Sequence, residues 1–186
     1  MKRVVIAVTG STGAVYGVRA LQICHELKDV ETHAVVSSGA EATLRIETRS
    51  TRDDLKKYAD YFYEETDFEA AIASGSFKTS GMIVAPCSMK TLSSIATGYE
   101  NNLISRAASV HLKERRPLIL LTRETPLSLI HLRNMVQVTE AGGVIMPPLP
   151  PLYFEMNNFE KMVDLTVGRA LSLIGVETEF RREWGR

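Results

Sequence analysis

The chain has 186 residues, 45% of them hydrophobic, with 22 Lys and Arg against 22 Asp and Glu. That length and apolar content suffice for a single domain, residues 1–186, with a sizeable core, and the balanced charge gives no field to attract nucleic acid or an anionic membrane. No uninterrupted apolar run approaches the length of a membrane span, the N-terminus reads as a strand rather than a signal peptide, and Cys24 and Cys87 form no disulfide framework, so a cytoplasmic location is expected. His25, His33, His111 and His131 show no metal-ligand spacing, and no structural metal is expected.

The first strand, residues 3 to 9, carries Val4-Val5-Ile6-Ala7-Val8 straight into Thr9-Gly10-Ser11-Thr12-Gly13-Ala14. A helix start leaves backbone N–H groups unpaired and carries partial positive charge, so a glycine-containing, hydroxyl-rich turn at that point suits a phosphate. The turn lacks the Lys of a P-loop and departs from the G-x-G-x-x-G spacing, which favours a mononucleotide over a dinucleotide; an ordinary strand-to-helix turn is the plain alternative. A second strand, 31 to 37, ends at Ser37-Ser38, and Glu47 follows as either a second site carboxylate or a surface residue.

The third strand, 80 to 86, delivers Pro86-Cys87-Ser88-Met89-Lys90-Thr91 to another helix. Here too amides and hydroxyls face a possible anion, although Ser88 can serve simply as an N-cap with Lys90 in solvent. Cys87 reads as a small buried thiol rather than a nucleophile, since no His accompanies it. On a predicted helix from Asn102 to Arg115, Arg106 and Lys113 share a face and can grip an anion or form a solvated surface. The fourth strand, 117 to 122, stops at Arg123-Glu124 before Pro126, where charged side chains can enter a cleft: the Arg to bind phosphate, the Glu to exchange a proton. After a fifth strand, 143 to 147, the proline-rich stretch Met146–Leu152 forms a stiff crossing that positions Tyr153. A last helix buries a stripe from Phe159 through Met162, Val163, Thr166 and Val167 to Ile174, with Arg169 on its polar flank.

Five nearly all-apolar strands alternating with helices imply a doubly wound parallel sheet buried on both faces. In such sheets ligands bind beyond the carboxyl ends of the strands, where this chain places its small, hydroxylated and charged residues.

Taken together, Val8-Thr9-Gly10-Ser11-Thr12-Gly13-Ala14, Pro86-Cys87-Ser88-Met89-Lys90-Thr91-Leu92, Leu112-Lys113-Glu114-Arg115-Arg116-Pro117-Leu118 and Arg123-Glu124-Thr125-Pro126-Leu127 resemble the UbiX flavin prenyltransferases. The likeness runs essentially end to end and includes Ile145-Met146-Pro147-Pro148 and Tyr153. It implies a three-layer, flavodoxin-like Rossmann fold that binds FMN and joins the dimethylallyl group of dimethylallyl phosphate to N5 and C6 of the reduced flavin, without a metal. The prenylated FMN would serve a UbiD-type decarboxylase, and family members assemble as dodecamers.

Carried over residue by residue, the resemblance assigns FMN contacts to Gly10, Ser11, Thr12, Ser37, Ser88, Met89, Lys90, Thr91 and Arg123. It assigns the prenyl phosphate to Lys113, Arg123, Glu124, Tyr153 and Arg169, with Arg106 close by and some of these supplied by a neighbouring subunit. Thr12, Glu47, Lys113 and Glu124 take the catalytic proton transfers, and Trp184 matches a tail aromatic near a subunit interface. Two positions depart from the family pattern: Thr12 replaces a usual Ser and keeps its hydroxyl, whereas Ser38 replaces a usual Lys and removes a positive charge. Two other functions compete with this one. A cysteine decarboxylase of the wider flavoprotein superfamily is disfavoured by the Pro86-Cys87-Ser88-Met89 turn, and a non-catalytic FMN carrier by the basic cluster and the lack of an acidic surface.

Overall fold

A computed structural model describes residues 1–149, 151 and 158–180. Six parallel strands form one sheet in the order β3-β2-β1-β4-β5-β6: β1 Lys2–Val8, β2 Val30–Val36, β3 Tyr61–Tyr63, β4 Gly81–Cys87, β5 Leu118–Thr122 and β6 Val144–Ile145. The helices are α1 Ala14–Glu26, α2 Glu41–Thr48, α3 Arg52–Leu55, α4 Met89–Thr97, α5 Leu103–Lys113, α6 Leu129–Glu140 and α7 Phe159–Leu173. This is the flavodoxin-like, doubly wound sheet expected, with one strand more than the apolar runs announce. β3 is three residues long and only partly buried, too short to show any periodicity.

Strand side chains alternate between two cores. Val4, Ile6 and Val8 of β1, with Ile83 and Ala85 of β4, face α1 and α7; Val5 and Ala7, with Met82 and Val84, face the side of α4 and α5. All seven residues of β4 are buried, so a one-residue slip would exchange complete side-chain sets between two differently packed cores. At roughly 1.5–3 kcal/mol for each buried aliphatic side chain, that fixes the register.

α5 spans Leu103–Lys113, inside the predicted 102 to 115, because Asn102 closes a capping box with Ser105 and Arg115 adopts a positive φ of 56°. In α7, Val163, Val167, Ala170, Leu171 and Ile174 are buried as their spacing predicts, but Phe159, at the head of the stripe, is 58% exposed. Among the described residues, no helix is long and apolar enough to cross a membrane.

Candidate functional site

The carboxyl ends of β1 and β4 are joined through one side chain. Thr9 Oγ1 donates to the Pro86 carbonyl at 2.8 Å and accepts from Ser88 N at 2.8 Å, which sets the start of α4 against the turn that follows β1. Gly10 is required in that turn, since a Cβ there would stand 2.4 Å from the Gly39 carbonyl oxygen in the loop after β2. The ends of β2, β1 and β4 thereby converge on a cleft of about 290 Å³.

Gly10, Ser11, Ser37, Ser38, Ser88, Met89, Lys90, Thr91 and Glu124 all line this cleft, together with residues that sequence reasoning missed: Glu65, Asn101, Asn102 and Ser105. Ser88 caps α4, its Oγ accepting from Thr91 N at 3.3 Å and donating to Thr91 Oγ1 at 3.1 Å. Capping and ligand binding are compatible here, because the first-turn amides of Met89 and Lys90 have no partner within the helix and both residues line the cleft with Ser88 and Thr91. Serine hydroxyls, helix-start amides and a lysine form a donor set that fits a phosphate, and Met89 adds a polarizable apolar contact suited to a ring.

Glu65 follows β3. Its Oε1 accepts from Ser38 N at 2.8 Å and its Oε2 from Asn102 Nδ2 at 3.2 Å, while its carbonyl accepts from Leu103 N at 2.7 Å. Burial pushes its carboxyl up, but the hydrogen bonds from Ser38 and Asn102 and the charge of Lys90 outweigh this and hold it below the usual carboxylate range. Nothing in Glu64-Glu65-Thr66-Asp67 marks this residue as special; only the short β3, which carries it to the cleft, does so.

The start of α1 departs from expectation. Glu47 Oε2, at the end of α2, accepts from both Gly13 N and Ala14 N at 2.8 Å, so the amides expected to hold a ligand phosphate are taken by the chain's own carboxylate. The anion-binding property of the turn is real, but it is used internally, and the phosphate-suited donors lie at α4 instead. Thr12 is exposed and immediately precedes the Glu47–Gly13 contact; it does not line the cleft.

Arg123 is half-buried over Gly13, where a Cβ would meet its Cδ at 2.7 Å, and its carbonyl accepts from Ser11 Oγ at 3.3 Å. Tyr16 shares that place, since the same Cβ would stand 3.2 Å from Tyr16 Cδ2 and 3.3 Å from Arg123 Nε; burial raises the Tyr16 phenol and the nearby Arg123 charge lowers it in part. Glu124 lines the cleft, with its carboxylate accepting from Thr125 N.

Arg106 and Lys113 do not reach this cleft within one chain. Arg106 donates to the Ala73 carbonyl and to Glu100, each at 2.9 Å, and Lys113 pairs with Glu114. α5 starts at the cleft with its cap Asn102 and runs away from it, so Lys113 sits at its far end, about 16 Å along. Arg169 is exposed on α7. That helix begins beside Glu47, where Phe159, Glu160 and Val163 border a second cavity of about 570 Å³, but Arg169 does not line it. Tyr153 and Trp184 lie outside the described residues. Cys87 is fully buried and its thiol is pushed well up by burial, which leaves it unsuited to act as a nucleophile. Among the described residues, no three His, Cys, Asp or Glu side chains group to hold a metal.

Fold and cleft together define a flavodoxin-like protein with a mononucleotide-type phosphate cradle at the carboxyl end of its sheet. Residues 1–171 match the flavoprotein family model. The chain is 49% identical to the flavin prenyltransferase UbiX of Neisseria meningitidis serogroup B over 184 residues, 99% of this chain and 97% of the relative. The crystal structure of AnUbiX in complex with FMN and dimethylallyl pyrophosphate superposes with a TM-score of 0.95 at 48% identity, covering 100% of this chain and 98% of that one. A dodecameric FMN-dependent UbiX-like decarboxylase from Escherichia coli O157:H7 gives 0.94 at 44% identity, with 100% of both chains covered. The chain belongs to the flavoprotein family and, within it, to the UbiX-type flavin prenyltransferases.

Proposed function

We propose that this protein transfers a dimethylallyl group from a dimethylallyl phosphate ester to reduced FMN, giving prenylated FMN for a UbiD-type decarboxylase. The observation that carries the reading is the convergence of Ser37, Ser88, Thr91 and Lys90 on one cleft that also contains Glu124, in a chain nearly superposable on a relative holding both FMN and the prenyl donor. Reduced flavin supplies the nucleophilic nitrogen and carbon; the protein supplies position and charge.

In this reading Gly10, Ser11, Ser37, Ser88, Met89, Lys90 and Thr91 hold FMN in the cleft. Arg123, above Gly13 and beside Tyr16, holds the departing phosphate close to Glu124, whose carboxylate exchanges a proton with it. Thr12 and Glu47, side by side at the start of α1, relay the proton removed on ring closure. Arg106, Lys113, Tyr153 and Arg169 complete the phosphate site. Since Arg106 and Lys113 stand away from the cleft of their own chain, we assign them to the cleft of a neighbouring subunit in a homo-oligomer, for which the dodecameric relative is the pattern. The exposed apolar residues Leu129, Ile130, Leu132 and Val136 give α6 a face suited to such assembly. The two cysteines, free and buried, suit a reducing compartment such as the cytoplasm.

The test is substitution. Glu124→Gln, Lys113→Ala and Arg123→Ala should each bind FMN yet form prenylated flavin at least about tenfold more slowly, the size of a lost charged transition-state contact. Normal rates in all three would refute the assignment.

A further inference from the structure

We propose that Glu65 is a specificity residue that restricts the cleft to a flavin mononucleotide and rejects the dinucleotide FAD. The inference rests on the FMN reading of the cleft and adds to it the residue that closes one end.

Two carboxylates bracket the cleft. Glu124 follows β5 and Glu65 follows β3, with β2, β1 and β4 between those two strands in the sheet, which sets the strands about 19 Å apart at ~4.8 Å for each spacing. The ring that accepts the prenyl group must face the donor, and the donor's phosphate belongs with Arg123 and Glu124. The flavin phosphate therefore points the other way, among Ser37, Ser88 and Thr91, towards β3 and Glu65.

At that end two segments are tied together across the cleft's rim. Glu65 bridges Ser38 N in the loop after β2 to the side chain of Asn102 at the cap of α5, a wall across the direction in which a dinucleotide would continue. The wall is also charged, since its hydrogen bonds keep the carboxyl ionised. Lys90 is the cation that faces it, and a terminal phosphate beside Ser88 and Thr91 shares that ammonium. A second phosphate farther along would meet the carboxylate and would have to break the bridge to pass. Discrimination thus has two components, an obstacle and a like charge, which separate a ligand ending in one phosphate from one continuing through a second.

The components can be separated with two variants and two ligands. Glu65→Gln keeps the shape and removes the charge; Glu65→Ala removes both. Dissociation constants for oxidised FMN and FAD, read by flavin fluorescence, give the preference of each protein, and retained FMN binding reports that each variant is folded. The FMN-over-FAD preference should fall about tenfold in Glu65→Gln, the scale of one like-charge contact, and further in Glu65→Ala, with FMN affinity in Glu65→Gln unchanged or tighter. A preference within about twofold of the parent in both variants, against that tenfold expectation, would overturn the proposal, as would a parent protein that binds the two flavins equally. A parent protein that binds neither flavin would instead overturn the FMN reading of the cleft.

Discussion

The Glu47 carboxylate stands 2.8 Å from the backbone nitrogens of Gly13 and Ala14, capping α1 from the end of a different helix. The contact ties α2 to the turn after β1 and fixes the carboxylate next to Thr12. It gives Glu47 two roles that substitution separates. Glu47→Gln keeps an oxygen that can accept from the amides but loses the basic carboxylate; Glu47→Ala loses both. Thermal unfolding should show Glu47→Ala destabilised by about 1 kcal/mol, the usual value of a helix cap, and Glu47→Gln by less. Flavin prenylation should fall about tenfold or more in both. Equal prenylation by Glu47→Gln and the parent would leave Glu47 a cap alone.

Lys113 stands at the far end of α5 from the cleft of its own chain, so the proposed phosphate role assigns it to the cleft of another subunit. Glu124→Gln and Lys113→Ala subunits, each slowed alone, should recover faster prenylation when dissociated, mixed and reassembled, because some clefts then combine an intact Glu124 with an intact Lys113. Mixtures that stay as slow as their components would show that Lys113 serves no neighbouring site.

On α6, Leu129 and Ile130 are 60% and 68% exposed, which is costly for an isolated chain and ordinary for a subunit contact. Ile130→Asp should lower the assembly mass measured by light scattering while the far-ultraviolet dichroism stays that of the parent. With assembly lost, prenylation should fall as well, although Ile130 lies outside the FMN cleft. An unchanged assembly would exclude this face as a contact.

Buried histidine gives the fold an acid limit. His111 donates from Nδ1 to the Ala107 carbonyl and accepts from Thr79 at Nε2, a fully paired neutral imidazole. Burial lowers its pKa to about 4, the Ala107 contact opposing this and Arg116 adding to it. The unfolded chain, titrating near 6.5, binds the proton first, so stability is fully present above about pH 6.5 and is lost as pH falls towards 4. The loss approaches roughly 3 kcal/mol at most, at about 1.4 kcal/mol for each tenfold difference in proton affinity between the folded and unfolded chain. His33, also lowered chiefly by burial, acts in the same direction. Urea denaturation at several pH values should show this slope in the parent and a shallower one in His111→Gln.

Strands buried on both faces were legible because they are almost wholly apolar, as in Met82-Ile83-Val84-Ala85, and so were the turns at their ends. What escaped notice depends on contacts between distant segments. β3 is too short for a pattern, and its role is to bring Glu65 against Ser38, which lies 27 positions earlier in the chain. The turn Gly10-Ser11-Thr12-Gly13 correctly signalled an anion at α1, but a local motif cannot tell a ligand phosphate from Glu47 folding back on it. Arg106 and Lys113 share a helix face as their spacing requires, yet spacing along one helix does not say whether that face meets the cleft of its own chain, and it does not.

Transfer of carbon from an isoprenoid ester onto a flavin held in this cleft changes the mass of the flavin, and that change is the decisive observable. The protein is incubated anaerobically with reduced FMN and dimethylallyl phosphate, and the released flavin is weighed by mass spectrometry. The expected product is a flavin heavier by one dimethylallyl addition, formed only when protein, reduced FMN and prenyl ester are all present. Recovery of unmodified FMN from the complete mixture would refute the transfer.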